Sequence, residues 1–546
     1  MAMTSATNPI GNLIAAISDV YYTTHDGLFR PNYHELLIDL VKLDGNDIIL
    51  PRNYQTNVLQ PFIKFLKEQL KEEGFNKLFH EDEEKLDRRD KALKKAIEEM
   101  AEGLLQRNYE FKYFSASFRD LKAIQAIVTT IFDDILRSDI TQLATDILPP
   151  LAKWGGRKGP YAIPQSMPCL KEMNIRAGIV SFPAEHRTGG LLAWISLGHE
   201  VAGHHFLRSI DGLIPKLREN IKTALMKSMD PDDSLTASLI DYWCACAEET
   251  ACDVLGVLNI GPSFGIGLIG YFRGVRGGKL KSTGPMYSTG EGSSTNSLIF
   301  EGAGIDQIFV EKVSDNLTLK QTEGLFGYIR PYDPTAPRPL KYQKFKTSNK
   351  HPLDIIRPFV IAQIIRSFNP SSHWSKLIEK EALSDLNGRE HITLLQLIKE
   401  SPRIAISPVI VPVKLAIKTA RIAAEAVAES TILIRGSVEK RLREVVKWER
   451  EDEELVEEIK RIILSLRPES LSTVGEKECS ARHILAASVL SAVQTRSDSE
   501  SVTSIHVIKS IFNKMKGFLV EIFERKPTLN LGQHIVVSLP PIEEEE

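Results

Sequence analysis

Residues 199–205 read His-Glu-Val-Ala-Gly-His-His, and Glu248-Glu249-Thr250-Ala251-Cys252-Asp253 follows downstream. Two imidazoles, a glutamate directly after the first, and a distant acidic cluster make a donor set for a divalent metal. Zn²⁺ fits best, held by three protein ligands with a fourth position left to water. Cys₂His₂ or Cys₄ spacing, which would close such a site, is absent. The chemistry open to this set is hydrolysis: metal-bound water becomes acidic near neutrality, and an adjacent carboxylate takes its proton.

The histidine spacing departs from the common His-Glu-x-x-His. Position 203 is Gly, and the second histidine is His204. On a regular α-helix, five steps of roughly 100° leave the two side chains about 140° apart, too far round to share an ion. A π-type turn brings them onto one face, and a glycine at 203 tolerates that distortion because it has no Cβ to clash. The spacing therefore predicts a π-bulge or local unwinding near Gly203 in a helix over 190–209.

The elements carrying these residues read as buried helices. Leu191, Leu192, Trp194, Ile195 and Leu197 precede the motif, and Val201, Ala202, Phe206 and Leu207 lie within or after it. Unpaired polar groups are costly in such surroundings, so a buried His-Glu-His-His group needs a partner. The acidic cluster sits in a second apolar run from Ser234 through Leu258, with Asp232 or Asp233 as N-cap and Gly261-Pro262 as the stop. Glu249 and Asp253 fall one turn apart there, and packing the two helices together sets a carboxylate against the histidine pair.

Both motifs resemble those of the dipeptidyl-peptidase III type of zinc metallopeptidase, His-Glu-x-x-Gly-His followed by Glu-Glu-x-x-Ala-(Glu/Asp). The first is matched at His199, Glu200, Gly203 and His204; the second is matched in outline at Glu248, Glu249 and Asp253, with Cys252 where that family has Ala. The resemblance implies His199, His204 and Glu249 as zinc ligands, Glu200 as general base, and Glu248 and Asp253 as outer carboxylates orienting the histidines. His205 is grouped with this outer set. The resemblance covers these two motifs only. The wider gluzincin group, including the CAAX prenyl protease type, adds a later His-Pro segment with a nearby Arg, similar to His351-Pro352 and Arg357 here. It implies that His351 sits beside the metal, against the equally simple reading of a helix-capping or surface histidine. The membrane-spanning segments of the prenyl protease type are missing. For the donor to the tetrahedral oxyanion, the candidates are His351, His205, Tyr328, Tyr332 and Arg357, with His351 preferred.

Composition sets the surroundings. The chain has 546 residues, 42% hydrophobic and 25% charged, which is ordinary for a globular protein. A formal net charge of −3 argues against nucleic acid as a partner. Five cysteines make no disulfide framework and suit a reducing cytosol. Residues 1–22 carry no basic leader with an apolar run, so a cytoplasmic location is expected. The most apolar stretch, Val254 to Phe272, is interrupted by Asn259, Gly261, Pro262 and Gly265 and reads as core plus turn, not a membrane span.

The fold class expected is mainly α: a zincin-like metallopeptidase core with a short β-sheet, flanked by N- and C-terminal helical regions. The stretches are an N-terminal helical region (1–150), a core (151–400) with a Gly/Ser-rich insertion at 274–305 near the cleft, and a helical accessory region (401–546). Residues 151–168, rich in Pro and Gly, read as a boundary or a loop lining the core, and 178–182 as a strand lining the cleft and pairing with an extended substrate. A helix is expected over 352–368, kinked or started late by Pro358, and another from Val413 to Leu433. Ser437 to Leu466 reads as one long amphipathic helix, whose apolar seam suits a hairpin or a homo-oligomer contact. Three functions stay open: a zinc-dependent peptidase acting on a peptide or protein; a non-catalytic zinc-binding interaction or regulatory module; and a helical scaffold with a coincidental motif.

Overall fold

The computed structural model describes residues 12–25, 50–69, 86–113, 115–136, 140, 147–155, 159–230, 233–275, 298–300, 308–310, 328–331, 340–341, 352, 354–386, 388, 390–400, 403–434, 438–465, 479–494 and 501–525. The protein is mainly helical with a few short strands. Helix α1 spans Leu13–His25, α2 Arg88–Tyr113 and α3 Ser115–Leu136. Strands β1 (Leu148–Gly155), β2 (Tyr161–Ile163) and β3 (Ala177–Pro183) follow. Then come α4 (Leu213–Ser228), α5 (Ser234–Ala245), α6 (Ala247–Ile260) and α7 (Pro262–Val275). The C-terminal half carries α8 (Arg357–Phe368), α9 (His373–Leu386), α10 (Val413–Ala428), α11 (Arg450–Leu464), α12 (Ala481–Gln494) and α13 (Ser501–Arg525).

One large apolar core draws on residues from Leu13 to Ile522, so the N-terminal, central and C-terminal stretches share a common interior. A second cluster, from Leu50 to Ile179, joins α2 to the sheet. No helix among the described residues is long and apolar enough to cross a membrane. Val254 to Phe272 forms α6 and α7, joined at Gly261, whose φ of +67° makes the turn.

The sheet differs from expectation. Residues 151–168 hold most of β1 and all of β2. The strand order is β1-β3-β2, with β1 parallel and β2 antiparallel to β3. Every residue of β3 is buried, as a strand paired on both sides and covered by helices requires. Its backbone is committed to β1 and β2, so the 178–182 segment does not offer its edge to a substrate. The outer strands are β1 and β2, and both are fixed to α2 at Glu99: Tyr161 of β2 donates its hydroxyl proton to it, and the ammonium of Lys153 of β1 lies 2.7 Å from it.

Three helical expectations also shift. The run from Ser234 is two helices, because Cys246 (φ −89°, ψ 6°) leaves helical geometry and re-aims the chain. Asp233 caps α5, accepting from the Leu235 and Thr236 amides, and Glu248 and Glu249 fall in the first turn of α6, where the helix dipole favours them. The helix expected from Val413 to Leu433 ends at Ala428, before the strand Thr431–Ile434; α8, by contrast, starts late as Pro358 predicts, with that proline in its first turn. Ser437–Leu466 contains a strand, Val438–Arg441, paired with Thr431–Ile434; a short helix, Leu442–Val445; and α11, restarted by a Glu449/Asp452 capping box. The buried face of α11 (Leu455, Ile459, Ile462, Ile463), the seam that suits a hairpin or a homo-oligomer contact, packs on α12 of the same chain. A hairpin of His391–Glu400 with Arg403–Pro412 has no counterpart in the sequence reading. The insertion at 274–305 lies almost wholly outside the described residues.

The histidine motif has the distortion its spacing predicts. After a 3₁₀ turn at Leu191–Ile195, a π-helix spans Gly198–His205 and passes into a short α-turn at Phe206–Ser209. It packs along α6 at nearly backbone distance. A Cβ on Gly203 would lie 2.5 Å from both Cβ and Sγ of Cys252, and one on Gly198 would lie 2.6 Å from Ile260 Cδ1. Gly203 therefore serves the close approach as well as the π-turn. Gly203→Ala is expected to cost about 1–3 kcal/mol by overpacking and to weaken metal binding as the π-helix is pushed off α6. Chemical denaturation with and without metal checks this; an unchanged midpoint and affinity would show that the approach has slack.

Candidate metal centre

The π-helix puts His199 and His204 on one face, ring centroids 5.2 Å apart and nearly perpendicular. From α6, Glu249 Oε2 lies 3.1 Å from His199 Nε2 and 3.5 Å from His204 Nε2. The outward nitrogens each meet a different carboxylate. His199 Nδ1 is 3.0 Å from Asp253 Oδ1, and His204 Nδ1 is 2.9 Å from Glu248 Oε1. An ionised carboxylate only accepts, so Nδ1 of each ring donates to its outer carboxylate; in the metal-free protein His199 Nε2 also donates to Glu249, and that Nε2 proton is the one a metal would replace.

Each outer carboxylate is held in turn by a guanidinium. Arg208 donates to both oxygens of Glu248 at 2.6 and 3.0 Å. Arg357, from α8, donates to both oxygens of Asp253 at 2.7 Å, and its plane lies over the Phe272 ring. Arg357 and Asp253 are both buried. Arg357 is thus a clamp on Asp253 through Nε and Nη2, while its Nη1 is buried without a hydrogen-bond partner among the described residues and the residue also lines the cleft beside the histidines.

The charges tune one another. Burial by itself raises the Glu248 carboxyl, but His204 and Arg208 outweigh it and bring the value down to about 2. Asp253 is lowered likewise, Arg357 and His199 overcoming burial. Burial disfavours the imidazolium of His199, yet the bonds to Asp253 and Glu249 leave its pKa raised. His204 is raised further, against the same desolvation, by Cys252, Glu249 and Glu248.

The sign of the pH dependence follows. A raised histidine pKa stabilises the metal-free fold at low pH, and that contribution is lost as pH rises through the folded-state value. Metal binding demands the opposite, deprotonated form. Metal affinity is therefore expected to fall with decreasing pH beginning above the ordinary histidine range, and loading at neutral pH is expected to release protons. Titration calorimetry in buffers of different ionisation enthalpy measures this; binding with no proton release at neutral pH would contradict it.

Glu200 is buried, as His199 and Glu249 are, but its carboxylate takes part in none of the histidine–carboxylate bonds above. It lines a cleft of about 380 Å³ together with His199 and His204. β2 and its flanking prolines form one wall, α2 contributes Lys95 and Ala96, and α7 contributes Tyr271 and Phe272. Burial, then the charge of Glu200, raises the Tyr271 hydroxyl pKa, so it stays protonated and able to donate.

Of the residues singled out by sequence, the structure brings together His199, Glu200, His204, Glu248, Glu249, Asp253 and Arg357. It does not bring in His205, whose Nε2 faces the Ile179 carbonyl at 3.1 Å; burial lowers its pKa to about 3, so it is a neutral donor tying the π-helix to β3. His351 and Tyr332 lie outside the described residues, as does the side chain of Tyr328. Two residues escaped the sequence reading. Tyr271 gave no spacing signal. Cys252 did: it is three residues after Glu249, on the same helix face.

The buried group His199, His204, Glu249 and Cys252 offers four ligand atoms within 4.8 Å of one another, an arrangement able to hold a metal ion. Comparison of the chain with protein-family models, curated proteins and solved structures returns no match.

Proposed function

We propose that this chain is a zinc-dependent peptidase with a zincin-like core of the gluzincin kind. His199, His204 and Glu249 hold the ion and Glu200 is the general base. The observation that carries the reading is the convergence of the two Nε2 atoms on Glu249 Oε2 at 3.1 and 3.5 Å. A tetrahedral zinc with bonds of about 2.1 Å sets its donors about 3.4 Å apart. The donor set suits this ion, imidazole and carboxylate being its usual partners. The charge also fits. Glu248, Glu249 and Asp253 cluster around the two histidines with Arg208 and Arg357 beside them, Asp354 lies 3.7 Å from Arg357, and Glu200 lines the adjoining cleft, so carboxylates outnumber guanidinium groups and a dication offsets part of the excess.

Zinc bound there supplies an acidified water and a Lewis acid for the scissile carbonyl. Glu200 takes the proton of the attacking water and returns it to the leaving amine. Tyr271, protonated and lining the cleft, donates to the developing oxyanion, a role for which the sequence prefers His351 and also offers Arg357. The edge of β2 turned away from β3, part of the cleft wall beside the histidines, gives an extended peptide main-chain partners. All five cysteines are free thiols, in keeping with a reducing compartment.

The second reading, a non-catalytic zinc-binding module, is favoured by one observation: the Cys252 sulfur stands among the ligand atoms and can complete a closed set. Metal analysis and chelator-sensitive cleavage of a peptide library separate the two. One zinc per chain, with cleavage lost on chelation and restored by zinc, supports the peptidase. Zinc without cleavage leaves the binding module, and protein free of zinc under conditions that preserve bound zinc removes both.

A further inference from the structure

The sulfur of Cys252 needs an account of its own. It is fully buried on α6, three residues beyond Glu249 and one before Asp253, on the face turned to the histidines. A small apolar residue would fill the same space. Instead a thiol stands with His199, His204 and Glu249, all four ligand atoms within 4.8 Å of one another. The missing Cβ of Gly203 makes room for it, since a methyl there would sit 2.5 Å from Sγ. Thiolate is a preferred zinc ligand, at a bond length of about 2.3 Å.

Resting on the metal-site reading above, we propose that Cys252 is a fourth protein ligand. The resting centre then carries two imidazoles, one carboxylate and one thiolate, and the thiolate caps the position that water must enter. Among the described residues, and against the two histidines, the thiolate is the donor without an outer group to hold it. His199 and His204 are each fixed by an outer carboxylate held by an arginine, whereas the sulfur faces His204 and has no such clamp. Its departure would break the metal–sulfur bond and form an S–H bond with one proton of the incoming water; the proton left on the attacking hydroxide is then the one Glu200 passes to the leaving amine.

Cobalt(II) replaces zinc and reports its ligands. Metal-free full-length protein titrated with Co²⁺ is expected to take up one ion per chain with a thiolate-to-cobalt charge-transfer band in the near ultraviolet. Cys252→Ala and Cys252→Ser, each checked for folding by circular dichroism, are expected to bind one Co²⁺ without the band. Their affinity should fall at least as far as the roughly 10–100-fold typical of losing an outer partner. At saturating Co²⁺, Cys252→Ala is expected to cleave a quenched fluorescent peptide library several-fold faster than the unmodified chain if the chain cleaves it at all. One Co²⁺ bound to the unmodified protein without the band overturns this proposal and leaves the metal site standing. The band with no gain of rate in Cys252→Ala overturns the capping role. Failure of the unmodified protein to bind Co²⁺ overturns the metal site itself.

Discussion

Glu200→Gln is expected to bind one zinc per chain with unchanged affinity and to lose peptide hydrolysis by about 10²–10⁴-fold, the usual worth of a positioned general base. The amide keeps the size of the carboxylate, so the π-helix and its packing on α6 are retained. The affinity is preserved because Glu200 makes none of the bonds that orient His199 or His204; Asp253 and Glu248 make those. The rate falls because the amide cannot accept a proton from the attacking water. His204→Ala is the complementary variant, expected to lose the metal and the activity together. Zinc content and initial rates on any peptide the parent cleaves decide the matter. Hydrolysis by Glu200→Gln at the parent rate would remove Glu200 from the chemistry, and loss of its zinc would make it a ligand or a structural residue.

Arg357→Ala is expected to be the most destabilising single change at the site, by about 3–5 kcal/mol, because it strands a buried carboxylate. Arg357 and Asp253 are 1% and 0% exposed in their side chains, and two bonds of 2.7 Å join them. Without the guanidinium, Asp253 keeps only its contact with His199, and burial drives it toward the protonated form. A neutral acid no longer holds the Nδ1 proton of His199 in place, so metal affinity is expected to drop by about 10–100-fold as well. Arg357→Lys retains a charge but not the planar fork, and a partial loss of both properties is expected. Denaturant unfolding of the metal-free protein isolates the first effect, and zinc titration the second. A destabilisation below about 1 kcal/mol would mean that water enters and solvates Asp253, placing the pair in the surface class of ion pairs.

The local signals were strong where spacing dictates geometry. His199 and His204 at five-residue separation cannot share a face on a regular helix, and the π-helix is the direct consequence. Asp233 as N-cap and the late start of α8 near Pro358 followed from backbone chemistry alone. The sheet was harder to read. Proline and glycine between 151 and 168 argued for a loop, but tertiary pairing with β3 overrides that local preference. The break at Cys246 left no mark in the apolar periodicity, since both helices bury their faces. The charged run after Ser437 kept helical spacing through a strand and a cap because the period of charges does not register a turn.

At the centre itself, sequence named the donors, and only the fold decided what surrounds them. Residue type and spacing on one helix are enough to predict which side chains share a face. They do not say which distant segment supplies a counter-charge. Arg357 reaches Asp253 from α8, across more than a hundred positions of chain. His205, beside His204 in sequence, is turned to the Ile179 carbonyl. Cys252 joins the ligand atoms because Gly203 lets two backbones approach until sulfur and imidazole meet. Identity and local period are properties of the chain, whereas desolvation, counter-charge and close approach exist only once separate segments are packed together.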